Sequence, residues 1–189
     1  MQRRKSKRYT VQYRRKREGK TNYKKRLKIV MSGKDRLVIR KSSKHIWAQI
    51  IKYLPQGDKV LGSAHSRELL KLGWKASCSN VPAAYLTGLL LAQKIKHPEE
   101  LVVDIGIYTP VKKSRIYACL KGARDGGLKF KAEEEIFPGE DRIRGEHISK
   151  FASMKKQESQ FSKVSKLIDL TKIQTHFEEI KNKVKALKK

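Results

Sequence analysis

The sequence predicts an α/β fold: a sandwich of helices on a mixed sheet, with a basic N-terminal arm and a helical C-terminal extension. Three observations predict it. Residues 36–65 hold three short β-type segments separated by tight turns. A further apolar strand follows near residue 101, between two stretches of helical periodicity. The first 20 residues show almost no apolar periodicity. A three-strand antiparallel meander followed by alternating helices and a strand gives a mixed sheet. The expected units are a basic arm and short helix over 1–33, an α/β core domain over 34–128, and a C-terminal loop, linker and amphipathic helix over 129–189.

In the arm, basic clusters at Arg3, Arg4, Lys5, Lys7, Arg8 and at Arg14, Arg15, Lys16, Arg17 cannot pack in a core, and Tyr9, Val11 and Tyr13 alternate between them. Such a segment is expected to be extended and disordered until bound. Asn22 to Met31 suits a short helix, with Tyr23, Leu27 and Val30 on one face, Lys24, Lys25 and Lys28 on the other, and Gly33 as its stop. Strands are expected at Leu37–Ile39, His45–Ile51 and Lys59–Ala64, with turns at Ser42-Ser43 and Pro55-Gln56-Gly57-Asp58. Ser66 is placed to cap a helix over Arg67–Leu72. Asn80 is placed to cap a longer one that tolerates Pro82 in its first turn and ends before Pro98.

Leu101 to Ile107 reads as a buried strand. Ser114 opens a helix that ends at Gly126-Gly127. Phe137-Pro138-Gly139 reads as a loop, and residues 151–166 as a linker or weak helix. Ile173, Phe177, Ile180, Val184 and Leu187 make one apolar stripe, with Thr171 and Gln174 spaced as a capping box. That stripe suits packing on its own domain and a partner surface equally.

Composition narrows the function. Among 189 residues, 46 Lys and Arg face 18 Asp and Glu, a net charge of +28 and a pI near 10.2. Residues 1–30 carry fourteen basic side chains against one acid, Glu18, so nearly half the excess lies in under a sixth of the chain. This excess self-repels and calls for a polyanion. Apolar runs fall well short of the ~18 residues a membrane span needs, so no membrane partner is expected. No secretory signal is legible at the N-terminus. Cys78 and Cys119 lie far apart, and the five histidines show no paired spacing, so neither metal, cofactor nor disulfide is expected. Glu18-Gly19-Lys20-Thr21 invites a phosphate-loop reading, but the glycine that motif needs five residues earlier is Arg14. No catalytic residue, and no small-molecule substrate, is expected.

Several stretches resemble one family. They are Arg8 to Tyr23 (RYTVQYRRKREGKTNY), Arg36 to Ile46 (RLVIRKSSKHI), Ala84-Tyr85-Leu86-Thr87-Gly88, Gly122 to Gly127 (GARDGG), and Phe137 to Ile143 (FPGEDRI) with Gly145-Glu146-His147-Ile148. Over residues 8–150 the chain resembles universal large-subunit ribosomal protein eighteen in its archaeal and eukaryotic form, and the length looks archaeal. The resemblance implies a ribonuclease-H-like sandwich that binds 5S rRNA through its arm and meander face. It implies docking of that RNA on the central protuberance, contact with large-subunit rRNA and neighbouring large-subunit ribosomal proteins, and a cytoplasmic location in the large ribosomal subunit.

The expected RNA-binding residues are Arg3, Arg4, Lys7, Arg8, Tyr9, Tyr13, Arg14, Arg15, Arg17, Lys20, Thr21, Asn22, Tyr23, Lys25 and Arg26 in the arm and first helix. Arg40, Lys41, Ser42, Lys44 and His45 join them at the first hairpin. Arginine forks suit phosphates, and tyrosine faces suit unstacked bases. A solvated tail has no reason to interleave Tyr9, Tyr13 and Tyr23 with arginine. The competing class is an RNA-processing nuclease or nuclease cofactor on the same fold. Two-metal catalysis needs converging carboxylates, and the meander has only Asp35 and Asp58 at strand ends. Asp104, alone on its strand, reads as a structural or sheet-edge residue, and fold alone confers no activity.

Deleting residues 1–20 should weaken RNA binding and flatten its salt dependence. If about half of the ten basic side chains there touch phosphate, the slope of log K against log salt should fall in magnitude by about 3 to 5. Titrations at several salt concentrations measure this, and an unchanged slope and affinity would mean that the arm faces elsewhere.

Overall fold

The computed structural model describes residues 10–95, 99–154, 164 and 167–187. Asn22 caps the first long helix through its Oδ1, which accepts from the Lys25 amide at 3.1 Å. After the single turn α1 (Arg14–Arg17) and this helix α2 (Tyr23–Met31) come the three strands of the meander, β1 (Arg36–Lys41), β2 (Ile46–Lys52) and β3 (Lys59–His65). The short helix α3 (Glu68–Lys71), the long α4 (Val81–Lys94), β4 (Glu100–Asp104), α5 (Arg115–Asp125) and β5 (Lys129–Phe130) complete the sheet region. The C-terminal part holds α6 (Glu140–Arg144), α7 (Glu146–Ser153) and α8 (Ile173–Ala186).

The sheet order is β3-β2-β1-β4-β5. β1 pairs antiparallel with β2, β2 with β3, and β1 parallel with β4, which pairs parallel with β5. The expected meander and mixed sheet are present. β5 was not expected, because two residues are too few for a period to show.

One sheet face carries Leu37, Ile39, Ile46, Ala48, Ile50 and Ala64, all fully buried. Against it lie α4 and α5. Val81 to Ala92 of α4 are buried without a break, so α4 has no solvent face and must be enclosed. The sheet covers one side, α5 another, and α6 and α8 the rest. Gly88 and Gly122 let α4 and α5 touch backbone to backbone: a Cβ at Gly88 would sit 1.9 Å from the Cys119 carbonyl oxygen, and one at Gly122 would sit 2.0 Å from that of Tyr85. Cys119 is sealed in this contact, where burial pushes its thiol up to about 12.

The C-terminal stripe packs inward. Ile173, Phe177, Ile180 and Val184 are buried in the same core cluster as α4, whereas Leu187 is 46% exposed. Phe177 packs against Tyr85 with ring centroids 5.7 Å apart, and His176 stacks on Trp74 at 5.2 Å. Burial and the Asp125 carboxylate, 2.9 Å from its hydroxyl, push the Tyr85 phenol up.

Two expected caps are used differently. α8 starts at Ile173 without a side-chain cap. Its entry is held one turn earlier, where Asp169 accepts from the Thr171 amide at 3.0 Å and hydroxyl at 2.8 Å. A carboxylate is the stronger acceptor and displaces the Thr171–Gln174 box. Ser66 does not cap α3. Its buried hydroxyl accepts from the Ile46 amide at 3.1 Å and lies 3.2 Å from His45 Nδ1. α6 and α7 lie mostly between the expected loop at 137–139 and the linker or weak helix expected from 151, where the sequence predicts no element.

Phe177→Ala should lower unfolding free energy by about 3–5 kcal/mol, the usual cost of emptying a buried aromatic site. Leu187→Ala should change it by less than ~0.5 kcal/mol, as surface substitutions do. Urea denaturation measures both, and equal small effects would show that the stripe is not core.

Candidate nucleic-acid interface

Strand alternation sends Arg36, Val38 and Arg40 of β1 to the sheet face opposite α4. The register sets Arg40 beside Trp47, Val38 beside Gln49 and Arg36 beside Ile51. On β3, His65 pairs with Trp47 and Ser63 with Gln49. The first row of this open face is therefore cationic and aromatic: Arg40, Trp47, His65. Trp47 is 46% exposed. The His65 ring meets Trp47 at 6.1 Å and His45 at 4.8 Å. Burial, and then the neighbouring His45, hold the His65 imidazole below its ordinary range.

α2 and the described part of the arm lie at the β1–β4 end of this face. They close a cavity of about 150 Å³ with the sheet. Its walls bring together seven of the expected site residues: Arg15, Lys20, Thr21, Asn22, Lys25, Arg26 and Arg40. Arg36, Asp58 and Asp104 form its floor. Arg26 Nη2 lies 2.8 Å from Asp58, and Arg36 Nη2 2.7 Å from the same carboxylate oxygen. Asp104 Oδ2 is 3.5 Å from Arg36 Nη1 and 3.3 Å from Arg40 Nη2. Three guanidiniums thus share two carboxylates. Asp104 also accepts from the Gly106 amide at 2.7 Å, and its own carbonyl accepts from Arg40 Nη1 at 2.7 Å. Gly106 has φ +68°, and a Cβ there would lie 2.9 Å from the Arg40 guanidinium, so the turn must be glycine for Arg40 to cross it.

The remaining expected residues divide. Arg3, Arg4, Lys7, Arg8 and Tyr9 lie outside the described residues. Tyr13, 73% exposed, meets Tyr23 at 5.2 Å. Arg17 is exposed. Glu18 binds Arg14 and Lys20, each at 2.8 Å, and Lys20 and then Arg14 hold its carboxyl below the usual range. Arg15 Nε donates to the Thr21 hydroxyl at 2.8 Å. Lys41 falls on the other side of the pleat from Arg40, with its ammonium 5.3 Å above the Tyr108 ring. Ser42 is spent on the turn, accepting from the His45 amide at 3.0 Å. Lys44 is exposed.

Two expectations change here. The described arm is not wholly extended: Arg14–Arg17 make a helical turn, after which the Lys20 and Thr21 amides bond back to the Arg15 carbonyl at 2.9 and 3.2 Å. Asp104 is structural, but β4 lies between β1 and β5 rather than at the sheet edge. On α2, Leu27 is 61% exposed while Lys25, Arg26 and Ile29 line the cavity. The residues missed from sequence are Arg36, Asp58, Trp47 and His65. The alternation Arg36, Val38, Arg40 against Leu37, Ile39 carried the signal for Arg36, and Trp47 between Ile46 and Ala48 carried its own.

The family described as "Ribosomal large subunit proteins 60S L5, and 50S L18" matches residues 7–101. The large ribosomal subunit protein uL18 of Staphylothermus marinus is 48% identical over 190 aligned positions, covering 94% of this chain and 93% of its own length. The chain belongs to the uL18 family. Membership makes it a large-subunit ribosomal protein of archaeal and eukaryotic type, working in the cytoplasm. The family match over residues 7–101 includes the described arm, α2 and the whole meander, hence every cavity residue named above except Asp104 and Gly106. The family role is a structural one. Among the described residues no group of three or more His, Cys, Asp or Glu could hold a metal ion, and none of their helices is long and apolar enough to cross a membrane.

Asp104→Asn keeps an acceptor for the Gly106 amide but removes the charge shared by Arg36 and Arg40. Breaking a buried pair this way should cost about 3 kcal/mol, read by urea denaturation. Arg14→Ala, which breaks the exposed pair with Glu18, should leave the midpoint unchanged. Equal midpoints for both variants would show that the network adds nothing to stability.

Proposed function

We propose that this uL18-family chain binds 5S rRNA and helps dock it on the central protuberance of the large subunit. The observation that carries the reading is the placement of the arm, α2 and the row Arg40, Trp47, His65 on one side of the molecule, opposite the helical core. RNA with looped-out bases asks for such a mixture of guanidiniums and ring faces. The order β3-β2-β1-β4-β5, with only the meander antiparallel, supports the ribonuclease-H-like reading.

The division of labour follows the chain. Residues 1–33 neutralise backbone phosphates. Residues 34–128 present the open face and the hairpin tip at Lys44. In the C-terminal part, α6 and α8 enclose α4, and the outer surface turns to large-subunit rRNA and neighbouring ribosomal proteins. Nothing in the geometry favours the nuclease reading: Asp58 and Asp104 are both committed to guanidiniums.

The protein should bind isolated 5S rRNA at least tenfold more tightly than a tRNA of similar size at physiological salt. Equal affinities would leave only a polycation. Trp47→Ala should weaken 5S rRNA binding by about 1–3 kcal/mol, the usual loss for one stacked base, with the salt slope nearly unchanged. An unaltered affinity in filter-binding titrations would remove Trp47 from the interface.

A further inference from the structure

We propose that the cavity between the arm, α2 and the open face of the sheet is a binding site for a single phosphate group. Its floor is Arg36, only 4% exposed. Two of its three guanidinium nitrogens, Nε and Nη2, have no hydrogen-bond acceptor among the described residues. Nη2 lies 2.7 Å from Asp58 but is not aligned to donate to it. A buried donor left unmade costs free energy, and more so for a charged group. The two carboxylates leave both nitrogens unmet, and the oxygens nearest Arg36 are shared with Arg26 and Arg40.

The walls add a weakly engaged cation and a free hydroxyl proton. Lys25 Nζ has a single acceptor, the Gly106 carbonyl at 3.5 Å. The Thr21 hydroxyl accepts from Arg15, which leaves its proton to donate. α2 begins at this wall with no acid in its first turn, its end capped only by the neutral Asn22 amide oxygen, so no negative charge offsets its positive end there. In all, six cationic side chains line the cavity against two carboxylates. The volume, about 150 Å³, is roughly ten times the ~10–15 Å³ that one water needs, enough for a tetrahedral oxyanion with its waters. A phosphate supplies acceptors on several sides at once, which neither carboxylate does.

In the free protein the occupant is inorganic phosphate. In the complex it is a backbone phosphate, a step that rests on the proposed RNA binding. The dissociation constant for inorganic phosphate is measured on the full chain by calorimetry, at constant ionic strength held with chloride. The melting temperature is followed in parallel, because a ligand of the folded state raises it saturably. Saturable binding is expected. The double variant Arg15→Gln, Lys25→Gln should weaken it at least tenfold, while Lys28→Gln, on α2 but outside the cavity, should leave it unchanged.

Absence of saturable binding, or equal loss in Lys28→Gln, overturns the site. If the double variant also binds 5S rRNA with a salt slope smaller by about 1 or more, the backbone source is supported. If its RNA slope matches the parent chain while phosphate binding is lost, the backbone source is overturned and the free-anion site is upheld. Intact phosphate binding with no preference for 5S rRNA overturns the proposed function and leaves the site standing.

Discussion

The structure depends on one constraint: α4 has no polar face. Twelve consecutive residues, Val81 to Ala92, are buried. A helix of this kind is stable only when apolar surface surrounds it. The sheet can cover one side and α5 another, but a 189-residue chain with so much charge has few apolar segments to spare for the rest. α8 supplies that surface through Ile173, Phe177, Ile180 and Val184. This is why a segment joined to the rest by a polar, Lys- and Ser-rich stretch is nonetheless part of the core. The backbone contact at Gly88 and Gly122 serves the same end, drawing α5 against α4 more closely than any Cβ would permit.

Enclosing α4 uses one face of the sheet and leaves the other free. The pleat then sorts the side chains. Leu37, Ile39, Ile46, Ala48 and Ile50 go to the core, and Arg36, Arg40, Trp47, Gln49 and Ile51 to the far side. Charge that could not enter the core is thus concentrated on one surface, beside the arm. The open face is held by a network rather than by apolar packing. Asp58 and Asp104 space three guanidiniums that would otherwise repel one another at short range. The arrangement stays short of neutrality, which is the property a phosphate-binding surface needs.

Local and tertiary demands compete at several points, and tertiary demand wins where burial is deepest. Ser66 gives up a helix cap to satisfy the amide of Ile46 in a fully buried corner. The buried amide has no water to turn to, whereas the amides at the start of α3 do. Lys25 and Arg26 turn toward the sheet, where Arg26 meets the carboxylate of Asp58, while Leu27 faces out.

The sequence by itself determined the α/β class, the antiparallel meander, the bounds of α4 and α5 within a few residues, and the concentration of charge in the arm. These follow from local periodicity, from capping residues such as Asn80, and from composition, all of which act within a few residues along the chain. The tertiary structure decided what depends on partners distant in sequence. It assigned the Ile173–Val184 stripe to the chain's own core, because only the folded α4 exposes an apolar side for it. It joined Arg36 to Asp58 and Asp104, because strand pairing rather than spacing places them together. It divided the expected hairpin residues between two faces, sending Arg40 to the cavity and Lys41 to Tyr108. It also fixed β5 and α6, whose few residues carry no period, and seated α7 by packing Ile148 and Ala152 against the core.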